Sequence, residues 1–232
     1  MRGAQWARSD QRMTHPQSAT LVEGVAQALC WAISDPVGHK SWNDSVCQSS
    51  ADSSGPKRRP DAGLKRRPGA QELRQAASVF DSSAIPPITI SRYLMRLSAS
   101  FRCSDATFIA ALIIVDRLLE CPGGRLPLTM RNVHRVFLAS LVVAVKYHED
   151  RVYSNSHYAK AGGVHLREVN RLERVLLVTL DFDLRIEPEQ FRTYEAALSR
   201  LRHTPGEAAR PGGASPPTAS AGAAPPAEPG SG

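Results

Sequence analysis

Apolar residues recur at steps of three and four through the middle of this chain of 232 residues. Ile90, Tyr93, Leu94, Leu97 and Phe101 share one face of a first helix, which can start only after the Pro86-Pro87 stop. Ser104 and Asp105 cap a second helix, SDATFIAALIIVDRLLE, and Cys121-Pro122-Gly123-Gly124 ends it. The same spacing predicts a third helix from about Arg131 to Tyr147, a fourth from about Leu166 to Leu180, and a fifth, EPEQFRTYEAALSRL, from near Glu187. No segment alternates as a strand would, so the pattern predicts an all-α domain.

The second and third helices are apolar on nearly every side. Phe108, Ile109, Leu112, Ile113, Ile114, Val115 and Leu118 leave the second little wet surface, and Val133, Val136, Phe137, Leu138, Leu141, Val142, Val143 and Val145 leave the third less. A helix that is apolar all round has to be covered all round. The expected architecture is therefore a central buried helix wrapped by others. Each large apolar side chain buried in this way contributes about 1.5 to 3 kcal/mol.

Composition limits how much of the chain takes part. The run TPGEAARPGGASPPTASAGAAPPAEPGSG, which ends the sequence, has no aromatic or large aliphatic side chain. It cannot offset the entropy of its own ordering. A polar stretch from about Asp35 to Arg74 has little to bury either. Residues 1–19, 35–76 and 203–232 are thus expected to be disordered, and 77–202 to form the single compact domain. The net charge of +7 leaves no segment overwhelmingly basic: in residues 88–202, 17 Lys and Arg face 12 Asp and Glu, spread along the helices. The dense clusters are Lys57-Arg58-Arg59 and Lys65-Arg66-Arg67, which read either as a solvated charge run or as a two-part nuclear import signal or nucleic-acid arm. Four scattered cysteines, without a CxxC pair or His at ligand spacing, suggest neither a metal site nor a disulfide framework, and no cofactor is expected. MRGAQWARSDQR is not followed by an apolar leader, and the longest apolar run, Phe108 to Val115, is too short to span a bilayer. The expected location is intracellular, in nucleus or cytoplasm, with no membrane partner.

Charges that interrupt the apolar faces narrow the reading further. Leu166, Val169, Leu176, Leu177 and Leu180 form a stripe on the fourth helix, and Glu173 falls in its middle. A carboxylate there is costly to bury alone. Either the helix phase differs, or Glu173 pairs with an internal cation, or the stripe faces a second protein. Asp116 poses the same problem on the second helix, and Arg96 on the flank of the first is a candidate counter-charge for a buried structural pair. Lys146, near the end of the third helix, suits the C-terminal dipole by itself; it is also a candidate partner for Glu173. Between these helices lies a polar, aromatic, glycine-ended connector, RVYSNSHYAKAGGV.

The order Arg96, Asp116, Lys146, Glu173 on four successive helices resembles the charged set of the cyclin box. The phrases ITISRYLMRL, VDRLLE, NVHRVFLASLVVAVKYHED, YSNSHYAKAGGV and EVNRLERVLLVTLDFDL are similar to the phosphate-pathway cyclins of fungi and the U-type (P-type) cyclins of plants and protists. The resemblance covers residues 88 to about 198 and implies that residues 20–34 form the helix preceding a single cyclin box. It implies a regulatory subunit, without catalytic groups, that binds and activates a cyclin-dependent protein kinase. In that reading Lys146 and Glu173 meet the kinase, Tyr158 and Lys160, with Asn155, are further contact candidates, and Arg96 and Asp116 are the internal pair. Two departures stand out. The residues after Arg96 are Leu97, Ser98, Ala99, Ser100, Phe101 and Arg102, which lack most of the apolar lining of a substrate-docking groove. The stretch from about Gly38 to Arg74 is an insertion ahead of the box.

Other functions fit less well. His148, Glu149, Asp150, His157 and Tyr158 lie close in sequence, but no HExxH, phosphate-binding glycine loop or nucleophile with a paired base accompanies them, so neither enzyme activity nor a small-molecule substrate is expected. A cyclin-fold module binding nucleic acid or the transcription machinery is the alternative reading. The chain has one box, no metal-binding ribbon and no basic stripe interleaved with aromatics, which argues against it.

Overall fold

The computed structural model describes residues 16–36, 78–120 and 126–202, and every regular element among them is helical. The elements are α1 (Pro16–Ser34), α2 (Ile90–Phe101), α3 (Asp105–Leu119), α4 (Val133–His148), α5 (Asn155–Gly162), α6 (Leu166–Thr179) and α7 (Pro188–Arg202). The five helices predicted from periodicity are α2, α3, α4, α6 and α7. Helix α1 starts at Pro16, inside the stretch expected to be disordered; proline is at home in a first turn because its missing N–H has no partner there. The basic insertion with Lys57, Arg58, Arg59, Lys65, Arg66 and Arg67, and the Pro/Ala/Gly tail, lie outside the described residues.

Two helices form the centre. Apart from Arg135, every residue of α4 from Val133 to Val145 is buried, and α4 packs against α2, α3, α5 and α6. Helix α3 is nearly as dry and packs against α1, α4 and α7. The rings of Phe108 and Phe137, with centroids 5.8 Å apart, join the two. The expectation of one wrapped helix therefore becomes a wrapped pair.

Specific polar contacts set the register of this pair. Ser104 caps α3, accepting the Thr107 N–H at 3.3 Å. Glu149, the residue that closes α4, reaches the same end of α3. Its Oε1 accepts the Ser104 N–H and the Ser104 hydroxyl, both at 2.8 Å, and the Thr107 hydroxyl at 2.5 Å. Burial works to raise this carboxyl, but the hydrogen bonds from Thr107 and Ser104 outweigh it and hold the group below its ordinary 4.5. The end of one central helix is thereby fastened to the start of the other.

The pair expected between Arg96 and Asp116 does not form. Asp116 is 2% exposed and receives the Tyr194 hydroxyl of α7 at 2.8 Å, so this carboxylate ties α3 to α7 instead of α2. Arg96 lies at the surface, and its Nη2 donates to the Lys160 carbonyl at the end of α5 at 3.0 Å. The physical reason is reach: the α2 flank bearing Arg96 faces α5, while Asp116 faces the opposite side of the central pair. The Arg96 guanidinium lies beside Gly163, where an added Cβ would meet it at 3.5 Å; Gly163 has φ +69 and ends α5 in the left-handed region that glycine tolerates. Gly162 serves a different need. A Cβ there would stand 2.4 Å from a methyl of Leu138, so only glycine lets α5 approach α4 this closely.

Two outcomes follow. Since the folded carboxyl of Glu149 titrates below its unfolded value, the unfolded chain takes up that proton first as pH falls. The stabilisation is complete above about pH 4.5 and is lost as pH drops through the folded value. Glu149→Gln should cost about 1 to 2 kcal/mol in urea unfolding at neutral pH, and the gap from wild type should close in acid; a pH-independent gap would contradict this. Tyr194→Phe, which strips a donor from a buried carboxylate, should cost about 1 to 3 kcal/mol. Arg96→Ala, at the surface, should cost about 1 kcal/mol or less. The reverse order in the same unfolding assay would restore the direct Arg96–Asp116 pair.

Candidate functional site

Lys146 stands in the last turn of α4, where a cation is favoured by the helix dipole, and Glu173 stands midway along α6. Their side chains meet: Lys146 Nζ donates to Glu173 Oε1 at 2.6 Å, with 33% and 16% of the two side chains exposed. The second carboxylate oxygen is also engaged. Asn155, the first residue of α5, donates through Nδ2 to Glu173 Oε2 at 2.8 Å and to Asn170 Oδ1 at 2.7 Å. Three helices thus converge on one half-covered ion pair. The carboxylate is held from both sides, which fixes its orientation and that of the ammonium.

The phase of α6 explains how this arrangement arises. Val169, Leu172, Leu176 and Thr179 are buried, whereas Leu166 is exposed and Leu177 only half-buried. The dry stripe is rotated toward Leu172 from the one expected, and Glu173 sits at its edge. Of the three explanations open for Glu173, the pairing with a cation holds, together with a shift of phase.

The connector is not an irregular loop. It contains α5, eight residues long, preceded by Ser154 in extended conformation and closed by Gly163. A serine before NSHYAKA and a glycine after it are the signals in the sequence for such a helix. Its aromatic residue turns inward. Tyr158 is 0% exposed, stacks on Phe101 with centroids 4.5 Å apart, and its hydroxyl accepts the Tyr153 N–H at 2.9 Å. Tyr158 is therefore a core residue that anchors α5 on α2, and its expected role as a partner contact is withdrawn. Tyr153 is the exposed aromatic of this segment, stacked on His157 at 4.4 Å. Lys160 is exposed, and its carbonyl carries the bond from Arg96.

Exposed apolar residues accompany the ion pair along the chain. Tyr147 follows Lys146 directly, and Val178 lies in the last turn of α6. Beyond α6, Asp181 and Phe182 both adopt left-handed backbone, at φ 52 and 56. Such geometry is costly for a bulky residue. Here it turns Phe182 outward, 65% exposed, while its N–H bonds the Leu177 carbonyl at 2.9 Å. Sequence reasoning missed Phe182, because nothing in LDFDL announces the reversal.

Two of the residues that suggested acid/base chemistry are committed elsewhere. Glu149 is held by Ser104 and Thr107, and His157 Nε2 contacts the Ser100 carbonyl at 2.9 Å. A cleft of about 430 Å³ between α3, the end of α4 and the start of α7 is lined by Ser104, Thr107, His148, Phe191 and Arg192, among others. Its two hydroxyls already serve Glu149. Among the described residues no group of His, Cys, Asp and Glu could hold a metal ion, and no helix is long and apolar enough to cross a membrane.

Comparison with known proteins gives a consistent result. Residues 31–184 match the cyclin family model. Cyclin-U3-1 of Arabidopsis thaliana is 39% identical over 125 residues, which is 54% of this chain and 56% of that protein. Cyclin-U4-1 of the same plant is 37% identical over 59% of this chain and 66% of its own length. Cyclin-P3-1 of Oryza sativa subsp. japonica is 34% identical over 56% of this chain and 55% of its own. The aligned region thus spans between about half and two thirds of these relatives. Given this match and the all-helical architecture around the buried α4, the chain belongs to the cyclin family, and its similarity is to U-type and P-type members.

Proposed function

We propose that this chain is the regulatory subunit of a cyclin-dependent protein kinase, contributes no catalytic group, and binds its kinase through the face that carries Lys146 and Glu173. The observation that carries the reading is the ion pair itself. It is oriented by Asn155 and lies only part-covered in the free chain. A pair already held in geometry loses little entropy on docking, and under a partner it becomes a desolvated contact that fixes register. Tyr147 and Phe182 supply exposed apolar surface of the kind that borders such contacts. Activation follows if the docked face stabilises one conformation of the kinase over another, because a ligand shifts an equilibrium by its differential affinity. An intracellular setting, nuclear or cytoplasmic, is where such a kinase would be met.

The test is capture from cells of the source organism on the tagged full chain, with the bound kinase identified by mass spectrometry. Lys146→Glu or Glu173→Lys should each remove the kinase from the captured fraction while circular dichroism stays that of the wild type. Leaving one charge of a buried pair unmatched costs about 2 to 5 kcal/mol, a loss of tenfold or more. If both variants retain the kinase at full stoichiometry, the face is assigned wrongly.

A further inference from the structure

On α6 the outward pole is a row of arginines. Taking about 100° per residue, Arg167, Arg171 and Arg174 lie within roughly 60° of one another. They point away from the stripe of Val169, Leu172 and Leu176 that faces the core. All three arginines are exposed, and among the described residues no hydrogen bond or ion pair engages their guanidinium groups. The carboxylates of the same helix are taken by others. Glu168 pairs with Arg135 of α4, and Glu173 is held by Lys146 and Asn155.

This row breaks local rules of helix design without repayment inside the chain. Like charges four and three residues apart repel. Arg167, in the first turn, also opposes the helix dipole, which favours anions at that end. A surface that departs from local preference with no internal compensation is where function is expected to reside. The row is about 10 Å long, with guanidinium groups spaced to take successive carboxylates as forked hydrogen bonds. Val178, exposed and on the same pole of the helix, lies beyond its C-terminal end and offers apolar contact.

We infer that the arginine row of α6 is a docking surface for an Asp/Glu-rich segment of a partner protein. An acidic peptide fits better than nucleic acid. Three cations on so short a row can meet only a few phosphates, while nucleic-acid affinity grows with the number neutralised, and the row carries no aromatic side chain on which a base could stack. The row is turned about a third of the helix circumference from Glu173, so it stays open when the ion-pair face is covered. It also offers a recruiting surface that the residues after Arg96 do not: Leu97 is buried, and Ser98, Ala99 and Ser100 provide no apolar lining.

Fluorescence anisotropy of the full chain with a fluorescein-labelled peptide of alternating Glu and Ser tests this. Wild type should bind at low ionic strength, and Arg167→Gln/Arg171→Gln/Arg174→Gln should weaken binding about tenfold or more. A charge-matched control, Arg92→Gln/Arg151→Gln/Arg192→Gln, removes three exposed arginines from other elements and should leave affinity within about twofold. The α6 variant should also unfold at the same or a higher temperature than wild type, since it relieves like-charge repulsion. Equal losses in the two variants, or no loss in the α6 variant, would overturn the proposal. So would absence of peptide binding by wild type, or displacement of the peptide by single-stranded DNA at lower concentration than by unlabelled peptide.

Discussion

A helix that is apolar on every side dictates most of this molecule. Helix α4 cannot touch water between Val133 and Val145 except at Arg135, so four other helices have to close around it, and α3, almost as dry, calls α1 and α7 to its far side. The charges at the end of α4 mark where this enclosure stops. Lys146 is the first residue there with access to solvent, and Glu149, three residues on, is spent on fastening the helix to the start of α3. The position of the ion pair is thus a consequence of packing: it stands at the rim of the core because the core ends there.

The charges on the apolar faces have separate structural fates. Asp116 is enclosed and bonded by Tyr194, so it serves the fold. Arg96 is at the surface and clasps the end of α5, so it serves the connector. Glu173 is half-covered and held from two sides, which leaves it rigid and still reachable. Only the last arrangement has the properties of a contact prepared for another molecule.

Most of the fold was legible in the sequence because its signal is periodic. The helices that became α2, α3, α4, α6 and α7 carry apolar residues at three- and four-residue steps, and Ser104 marks its cap as expected. What was not legible depended on distance or on exceptions to pattern. The partner of Asp116 lies 78 residues further along, on a helix whose orientation no local rule reveals. Tyr158 sits among polar residues and looked available, yet the short helix α5 turns it inward onto Phe101. The true phase of α6 was hidden because Leu166 and Leu177 are apolar by type but not buried, and Phe182 is exposed by a backbone conformation that its side chain gives no hint of. The Lys146–Glu173 pair was foreseen as a pairing; the bond from Asn155, itself held by Asn170, was not, since amides at that spacing carry no pattern of their own.

The regulatory reading makes one demand that stability, fold and resemblance cannot meet for it. The purified chain, added to the isolated catalytic subunit that it captures, should raise phosphoryl transfer from ATP to a protein substrate well above that of the subunit alone, and should itself transfer none. A kinase whose rate is unchanged at saturating chain, or transfer by the chain with no kinase present, would contradict the assignment.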